Sequence, residues 1–228
     1  MIKKYIFSHT YYPSHSVNRM RDEGNVEKAR EIFLHSRFAN LDFLLRQRYA
    51  WMNNYIKPDD TVIEIGCGAG FSQLYIKHKI ILTDAVKYEW VDKVIDAVNM
   101  DFDDNSVDII IASQTIHHFY SPYKFFCECL RVLKPGGLIL IQEINTSLIM
   151  RILLRLMRHE GWSYDCDIFD PNIVVNDAKD IWSANCAVPE LLFSEAKPFN
   201  SSFTNHDSKL IIIQKQFCEF ITFLAGGG

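Results

Sequence analysis

Val62-Ile63-Glu64-Ile65-Gly66-Cys67-Gly68-Ala69-Gly70 is the stretch whose reading decides the fold. A short apolar strand runs straight into glycines at alternate positions, and a helical stretch, Phe71–Ile76, follows. Glycines at such a bend let the backbone turn sharply and let a ligand approach where a Cβ would collide. The plainer reading is a tight strand–helix turn with no ligand. Spacing narrows the choice of ligand. A Gly-x-Gly-x-x-Gly pyrophosphate fingerprint would need glycine where Phe71 stands, and the Gly-Lys-Ser/Thr of a phosphate loop is absent. Dinucleotides and nucleoside triphosphates lose ground.

Outward from this stretch, short apolar runs alternate with helical ones: Thr61–Ile65, Ile80–Thr83, Val94–Ala97, Val107–Ala112 and Leu138–Gln142. Near-continuous apolar runs of this length suit strands buried on both faces. Between the last two lies Pro122–Leu133, with Phe125, Phe126, Cys129, Leu130 and Leu133 spaced by three and four, and Lys134-Pro135-Gly136-Gly137 ends it. The pattern predicts an α/β fold, a doubly wound and mostly parallel sheet that binds ligand beyond the carboxyl ends of its strands. Helical periodicity from Val26 to Ile56, stopped by Lys57-Pro58-Asp59-Asp60, predicts one or two preceding helices. We therefore expect an N-terminal helical segment, or lid, over residues 1–57 and the main domain over 58–228. An insert at about 146–205 follows the fifth strand, and Lys209–Phe217 is expected as a late strand.

With 228 residues, 48% of them hydrophobic, the chain can bury a sizeable core, which excludes global disorder. A net charge of −4 argues against a nucleic-acid partner. No apolar run reaches the ~18 residues of a membrane span. The six cysteines contain no Cys-x-x-Cys pair, so no metal site of the usual local spacing is expected, and their scatter fits a reducing cytoplasm. Arg151, Arg155 and Arg158 share one face of Leu148–His159. That row reads as the wet face of a helix, or as a peripheral contact for anionic lipid or a phosphorylated substrate.

Asp84 closes the second run, eighteen residues after Gly66, where a carboxylate can accept from both hydroxyls of a ribose. A helix cap is the alternative. Asp101 follows the third run and could accept from an adenine amine with Phe102 against the ring; a solvated turn competes. His117-His118 follow the fourth run, where an imidazole could take a proton from an acceptor, or merely cap a loop. Glu143 and Asn145 end the fifth strand in the same cleft.

Taken together, strand–Glu-x-Gly-x-Gly-x-Gly, Asp84, Asp101, Ile109–Gln114 and Leu133-Lys134-Pro135-Gly136-Gly137-Leu138 resemble the class I S-adenosylmethionine-dependent methyltransferases. The nearest resemblance is to their small-molecule branch, which often reads His-His-Phe after the fourth strand. It covers about residues 61–143. It implies a Rossmann-like methyltransferase fold and S-adenosyl-L-methionine as cofactor. Glu64, Gly66, Cys67, Gly68 and Gly70 would surround its methionine part, Asp84 its ribose, Asp101 and Phe102 its adenine, and Ser113-Gln114 would supply backbone. The family's C-terminal edge strand has little sequence left for it and is expected to be missing or cut short. Tyr11 and Tyr12 would belong to an aromatic lid over the acceptor. The expected activity is O-methylation of a metabolite or of a saccharide- or lipid-linked intermediate, with His118 before His117 as base; a non-catalytic cofactor-binding module is the alternative.

Overall fold

The apolar runs become strands in register. A computed structural model describes residues 8–13, 25–158, 160–204 and 208–216. In chain order these form β1 (Thr10–Tyr11), α1 (Val26–Ser36), α2 (Ala39–Tyr49), β2 (Val62–Ile65), β3 (Ile81–Asp84), β4 (Lys93–Val94) and β5 (Val107–Ser113). There follow α3 (Pro122–Val132), β6 (Leu133–Gln142), α4 (Leu148–Met157), β7 (Trp162–Ser163), α5 (Val188–Phe193) and α6 (Ala196–Ser202). Strands β4-β3-β2-β5-β6 make one sheet in that order, every pair parallel. The chain therefore reverses direction of travel between β2 and β5, and β2 and β5 lie side by side with Glu64 opposite Ile111.

Alternation along the central strands decides which layer covers which face. Ile63, Ile65, Ile110 and Ala112 pack with Phe125, Phe126, Cys129 and Val132 of α3 and with the chain around α5 and α6. Val62, Ile109 and Ile111 point the other way, onto Phe33 of α1, Leu45 and Tyr49 of α2, and Met52. Phe125 and Phe126 are fully buried. Removing either ring costs about 3–5 kcal/mol at typical core values.

The N-terminal helical run keeps to the expected one or two helices: it is two, parted where Arg37 turns left-handed at φ 42°. Several other expectations change. The helix expected after the glycines is a single 3-10 turn, Phe71–Leu74. Lys134-Pro135-Gly136-Gly137 bulges within β6 instead of preceding it, since Val107 faces Leu133 while Ile109 faces Leu138. Lys134 secures the bulge by bonding Asp108 at 2.6 Å. Residues 208–216 make one bridge, Thr204 to Lys209, and no strand, so β6 forms the sheet edge among the described residues. Phe217 and everything after it lie outside the described residues.

Two of the three arginines of the α4 row face inward, while Arg158, the left-handed C-cap, is exposed. Arg151 stacks over Tyr164 at 4.8 Å, and Arg155 over Tyr11 at 4.2 Å and Trp162 at 5.1 Å. The exposed side of the helix is apolar, through Leu148, Ile149, Leu156 and Met157. The expected wet basic face thus keeps only Arg158 outside: aromatic rings in the insert give the guanidiniums of Arg151 and Arg155 a better partner than water. No described helix is long and apolar enough to cross a membrane.

Candidate active site

The bend after β2 is built by three left-handed glycines, Gly66, Gly68 and Gly70, at φ 65°, 50° and 62°. At Gly70 a Cβ would press Trp90 at 2.7 Å, and at Gly66 it would collide with Thr115. At Gly68 it would meet nothing within 4 Å. The middle glycine thus lines an open cradle, while its neighbours are closed by packing.

Two carboxylates flank the cradle. Asp84, at the end of β3, accepts from Gly68 N at 2.9 Å with one oxygen and from Val86 N at 3.0 Å with the other. Each oxygen keeps a lone pair for a hydroxyl donor. Glu64 is only 1% exposed, and the Ser72 hydroxyl donates to it. Burial, with a smaller push from Asp84, raises its carboxyl to about 7 despite the bonds from Ser72 and Tyr49. Cys67 is buried, its amide donating to Thr83 O at 3.0 Å, and burial pushes its thiol up.

A second cluster stands at the ends of β5 and β6. Glu143 Oε1 accepts from the amides of Thr115 at 2.8 Å and Ile116 at 2.6 Å; its Oε2 holds His117 Nδ1 at 2.7 Å. Both side chains are nearly sealed, at 3% and 4% exposure. Burial works against the imidazolium, yet the charge and hydrogen bond of Glu143, with the Glu160 charge, together outweigh it and hold His117 above its ordinary value. Glu143 is correspondingly held low by His117, against its own burial. His118 is more open, its side chain 20% exposed, and its Nδ1 lies 3.2 Å from Ser183 O. Burial and the neighbouring His117 lower it to about 4. Its ring is therefore neutral at neutral pH.

The structure brings Glu64, the three glycines, Cys67 and Asp84 together, and places His117, His118 and Glu143 beside them through Thr115. Ser113 and Gln114 sit at the strand end between the two groups. The Gln114 side chain lies 3.2 Å from Gln142, and its backbone is left-handed at φ 55°.

Five predicted residues fall elsewhere. Asp101 is 87% exposed in its side chain and pairs with Lys93 at 2.8 Å. Phe102 packs beside the α3 core with Lys93 4.5 Å above its ring. Asn145 is exposed past the end of β6. Tyr11 lies on the insert, in β1 paired with β7, where its ring meets Trp162 at 4.9 Å; Tyr12 next to it is half exposed. They serve the insert's own small core instead of covering the glycines, because Trp162 offers them a buried partner. His117 also departs from a base in contact with an acceptor: its exposure is too small and Glu143 already holds its ring.

Sequence reasoning missed other members. Arg30 of α1 donates to Ala69 O and lies 4.6 Å over Trp90, whose indole donates to Gly68 O at 2.8 Å. Asp96 lies near Tyr120 across the strand ends, which contributes to raising that phenol after burial. Its signal was available, since it ends the apolar pair Val94-Ile95.

Residues 63–141 match the family described as a methyltransferase domain. A Mycolicibacterium smegmatis protein, a probable S-adenosylmethionine-dependent methyltransferase, is 31% identical over 97 residues, 37% of this chain and 38% of the relative. Phosphoethanolamine N-methyltransferase 3 of Arabidopsis thaliana is 27% identical over 114 residues, 40% of this chain and 22% of the relative. The chain thus spans well under half the length of these curated relatives. A solved S-adenosylmethionine-dependent methyltransferase from Thermotoga maritima shares 25% identity and a TM-score of 0.40, over 51% of this chain and 57% of that one.

The cradle fits S-adenosylmethionine on its own chemistry. Two carboxylates beside an open glycine would repel a pyrophosphate, but they suit an ammonium, a sulfonium and a ribose diol. Over residues 63–141 the chain is thus similar to a methyltransferase domain, in line with its resemblance to the class I S-adenosylmethionine-dependent enzymes.

Proposed function

We propose that this chain methylates an oxygen of a small-molecule acceptor, a metabolite or a saccharide- or lipid-linked intermediate. One observation carries the reading: Gly66 packs so closely on Thr115 that a Cβ would collide there. That contact sets the cofactor cradle two and three residues from His117 and His118, at the carboxyl ends of β2 and β5. Bound in the cradle, S-adenosylmethionine supplies an activated methyl group on its sulfonium.

The chain's own residues do the rest. Asp84, fixed by two backbone amides, accepts the ribose hydroxyls. Glu64 and the glycine turn hold the methionine part, and Asp96 takes the adenine role that the sequence pattern first suggested for Asp101. Glu143 locks His117, and His117 in turn positions His118, whose ring centroid lies 4.3 Å away. His118, neutral and partly open, accepts the hydrogen bond of the acceptor hydroxyl and takes its proton as the new bond forms. Alignment of the reacting atoms, worth ~7–11 kcal/mol in favourable cases, supplies more than a single base usually contributes. All five described cysteines are free, which suits a reaction in the cytoplasm.

An amine is the competing acceptor, as the name of the Arabidopsis relative illustrates. The test is transfer of labelled methyl from S-adenosylmethionine to matched panels of hydroxyl and amine compounds. Label on oxygen supports the proposal, and label on nitrogen corrects the acceptor atom. Binding without transfer to any panel would leave a cofactor-binding module. Asp84→Asn should weaken S-adenosylhomocysteine binding roughly 10- to 100-fold by calorimetry, the scale of one or two charge-assisted hydrogen bonds. Unchanged affinity would remove Asp84 from the ribose.

A further inference from the structure

His117 Nε2, a Glu160 oxygen and Cys186 Sγ lie within 4.8 Å of one another, although they come from three separate segments. Glu160 Oε2 is 3.7 Å from His117 Nε2 and 3.1 Å from Cys186 Sγ. A tetrahedral zinc site with bonds of about 2.0–2.3 Å has donor–donor edges of roughly 3.3–3.7 Å, so the two edges to Glu160 bracket the required ones, and the edge from His117 to Cys186, within 4.8 Å, closes by a shift of about an ångström at most. His117 and Cys186 are buried, and the Glu160 side chain is 11% exposed.

The surroundings resemble those of a ligand histidine. Metal-bound imidazoles commonly donate their second nitrogen to a carboxylate, which fixes tautomer and orientation. Here Glu143, anchored by two backbone amides, grips His117 Nδ1 and turns Nε2 toward Glu160 and Cys186. His118 has the same arrangement, with Nδ1 on Ser183 O and Nε2 3.6 Å from the other Glu160 oxygen. The loops are pinned as well. Asn176 Nδ2 and Asn185 N both donate to His117 O, at 2.8 and 2.9 Å, and Cys186 N donates to Gly161 O at 2.9 Å. Glu143 and Glu160 place two carboxylates around the imidazoles, and a divalent cation would meet that negative charge.

We propose that His117, Glu160 and Cys186 bind a divalent transition metal of the zinc class, one per chain, with the fourth position left to water or acceptor. Mixed nitrogen, oxygen and sulfur donors favour zinc over magnesium or calcium, which prefer oxygen alone. Binding displaces the Cys186 proton to solvent and forms a metal–thiolate bond; no electron moves. This site adjoins the one proposed for methyl transfer, since His117 belongs to both, and its test reads metal and not activity.

The test is to strip the full-length protein with a chelator, titrate it with Co(II) as a spectroscopic substitute, and then displace cobalt with Zn(II). One equivalent of Co(II) should give tetrahedral d–d bands with a thiolate charge-transfer band, lost on adding Zn(II). Cys186→Ser should lose the charge-transfer band and bind at least tenfold more weakly, while Cys127→Ser, at an exposed thiol, should match the parent. Should Cys186→Ser fail to fold, Glu160→Gln gives the second measurement: weakened binding with the thiolate band kept at saturation. Absence of stoichiometric Co(II) binding to the unaltered protein overturns the proposal. So does a spectrum without the thiolate band, or a Cys127→Ser loss equal to that of Cys186→Ser.

Discussion

Gly68→Ala will leave the protein folded and abolish S-adenosylmethionine binding, whereas Gly66→Ala, two residues earlier, will unfold it or nearly so. Both glycines are left-handed, so each alanine carries a backbone cost of about 1–3 kcal/mol. The difference lies in what the new methyl meets. At Gly66 it runs into Thr115 Oγ1, with Thr115 Cβ at 3.0 Å, and Thr115 is held through its amide by Glu143. Overpacking of that kind adds another ~1–3 kcal/mol. The sum, about 2–6 kcal/mol, is a large part of the ~5–15 kcal/mol that holds an ordinary domain together. At Gly68 the methyl enters open space, so only the backbone cost applies, but it stands where the ligand must approach. Urea unfolding and calorimetry with S-adenosylhomocysteine separate the two effects. Parent-like affinity in Gly68→Ala would mean that the cradle is not the cofactor site. A Gly66→Ala protein as stable as the parent would mean that Thr115 yields. Adding Thr115→Ala to Gly66→Ala should recover part of the loss, because it removes the overlap and leaves only the torsion.

The same contact shows how far a linear reading reaches. The sheet was legible because its signals are local: apolar runs of strand length, glycines at the bend, and a breaker after Pro122–Leu133. Asp84 was legible because it ends a strand next to one that ends in glycine, so adjacency in the sheet makes adjacency in space. Asp101 misled because the loop after β4 is short and turns its later carboxylates to solvent, where Lys93 takes Asp101. Asp96, nearer the strand, stays at the edge. The arginines of α4 misled for a related reason: periodicity says which residues share a face, not which face is buried. In this helix the aromatic insert claims the charged side and leaves Leu156 exposed. Glu160 and Cys186 carried no signal, since they join His117 only after two loops of the insert fold back, and metal spacing rules address neighbours in sequence.

Glu64 makes stability depend on pH in a direction opposite to that of a paired surface carboxylate. Its carboxyl, ordinarily near 4.5, is raised to about 7 in the folded protein, chiefly by burial. Between those values the native state holds a proton that the unfolded chain has released. The stabilisation relative to the ionised form is therefore complete below about 4.5 and is lost as pH rises through about 7. The whole interval corresponds to about 3 kcal/mol, of which about 2–3 kcal/mol falls between pH 5 and 8. Glu64→Gln keeps an acceptor for the Ser72 hydroxyl but cannot ionise. Urea midpoints between pH 5 and 8 should fall for the parent by that amount relative to the variant, and the parent-minus-variant difference cancels every group the two share. A cationic ligand changes the balance: an ammonium near Glu64 favours the carboxylate, so binding near pH 6 should expel a proton. Calorimetry in buffers of different ionisation heat measures that proton directly, and Glu64→Gln should release less. If the two proteins show the same pH slope and the same proton release, Glu64 is charged before the ligand arrives. The hydrogen bonds from Ser72 and Tyr49 would then outweigh burial at the end of β2.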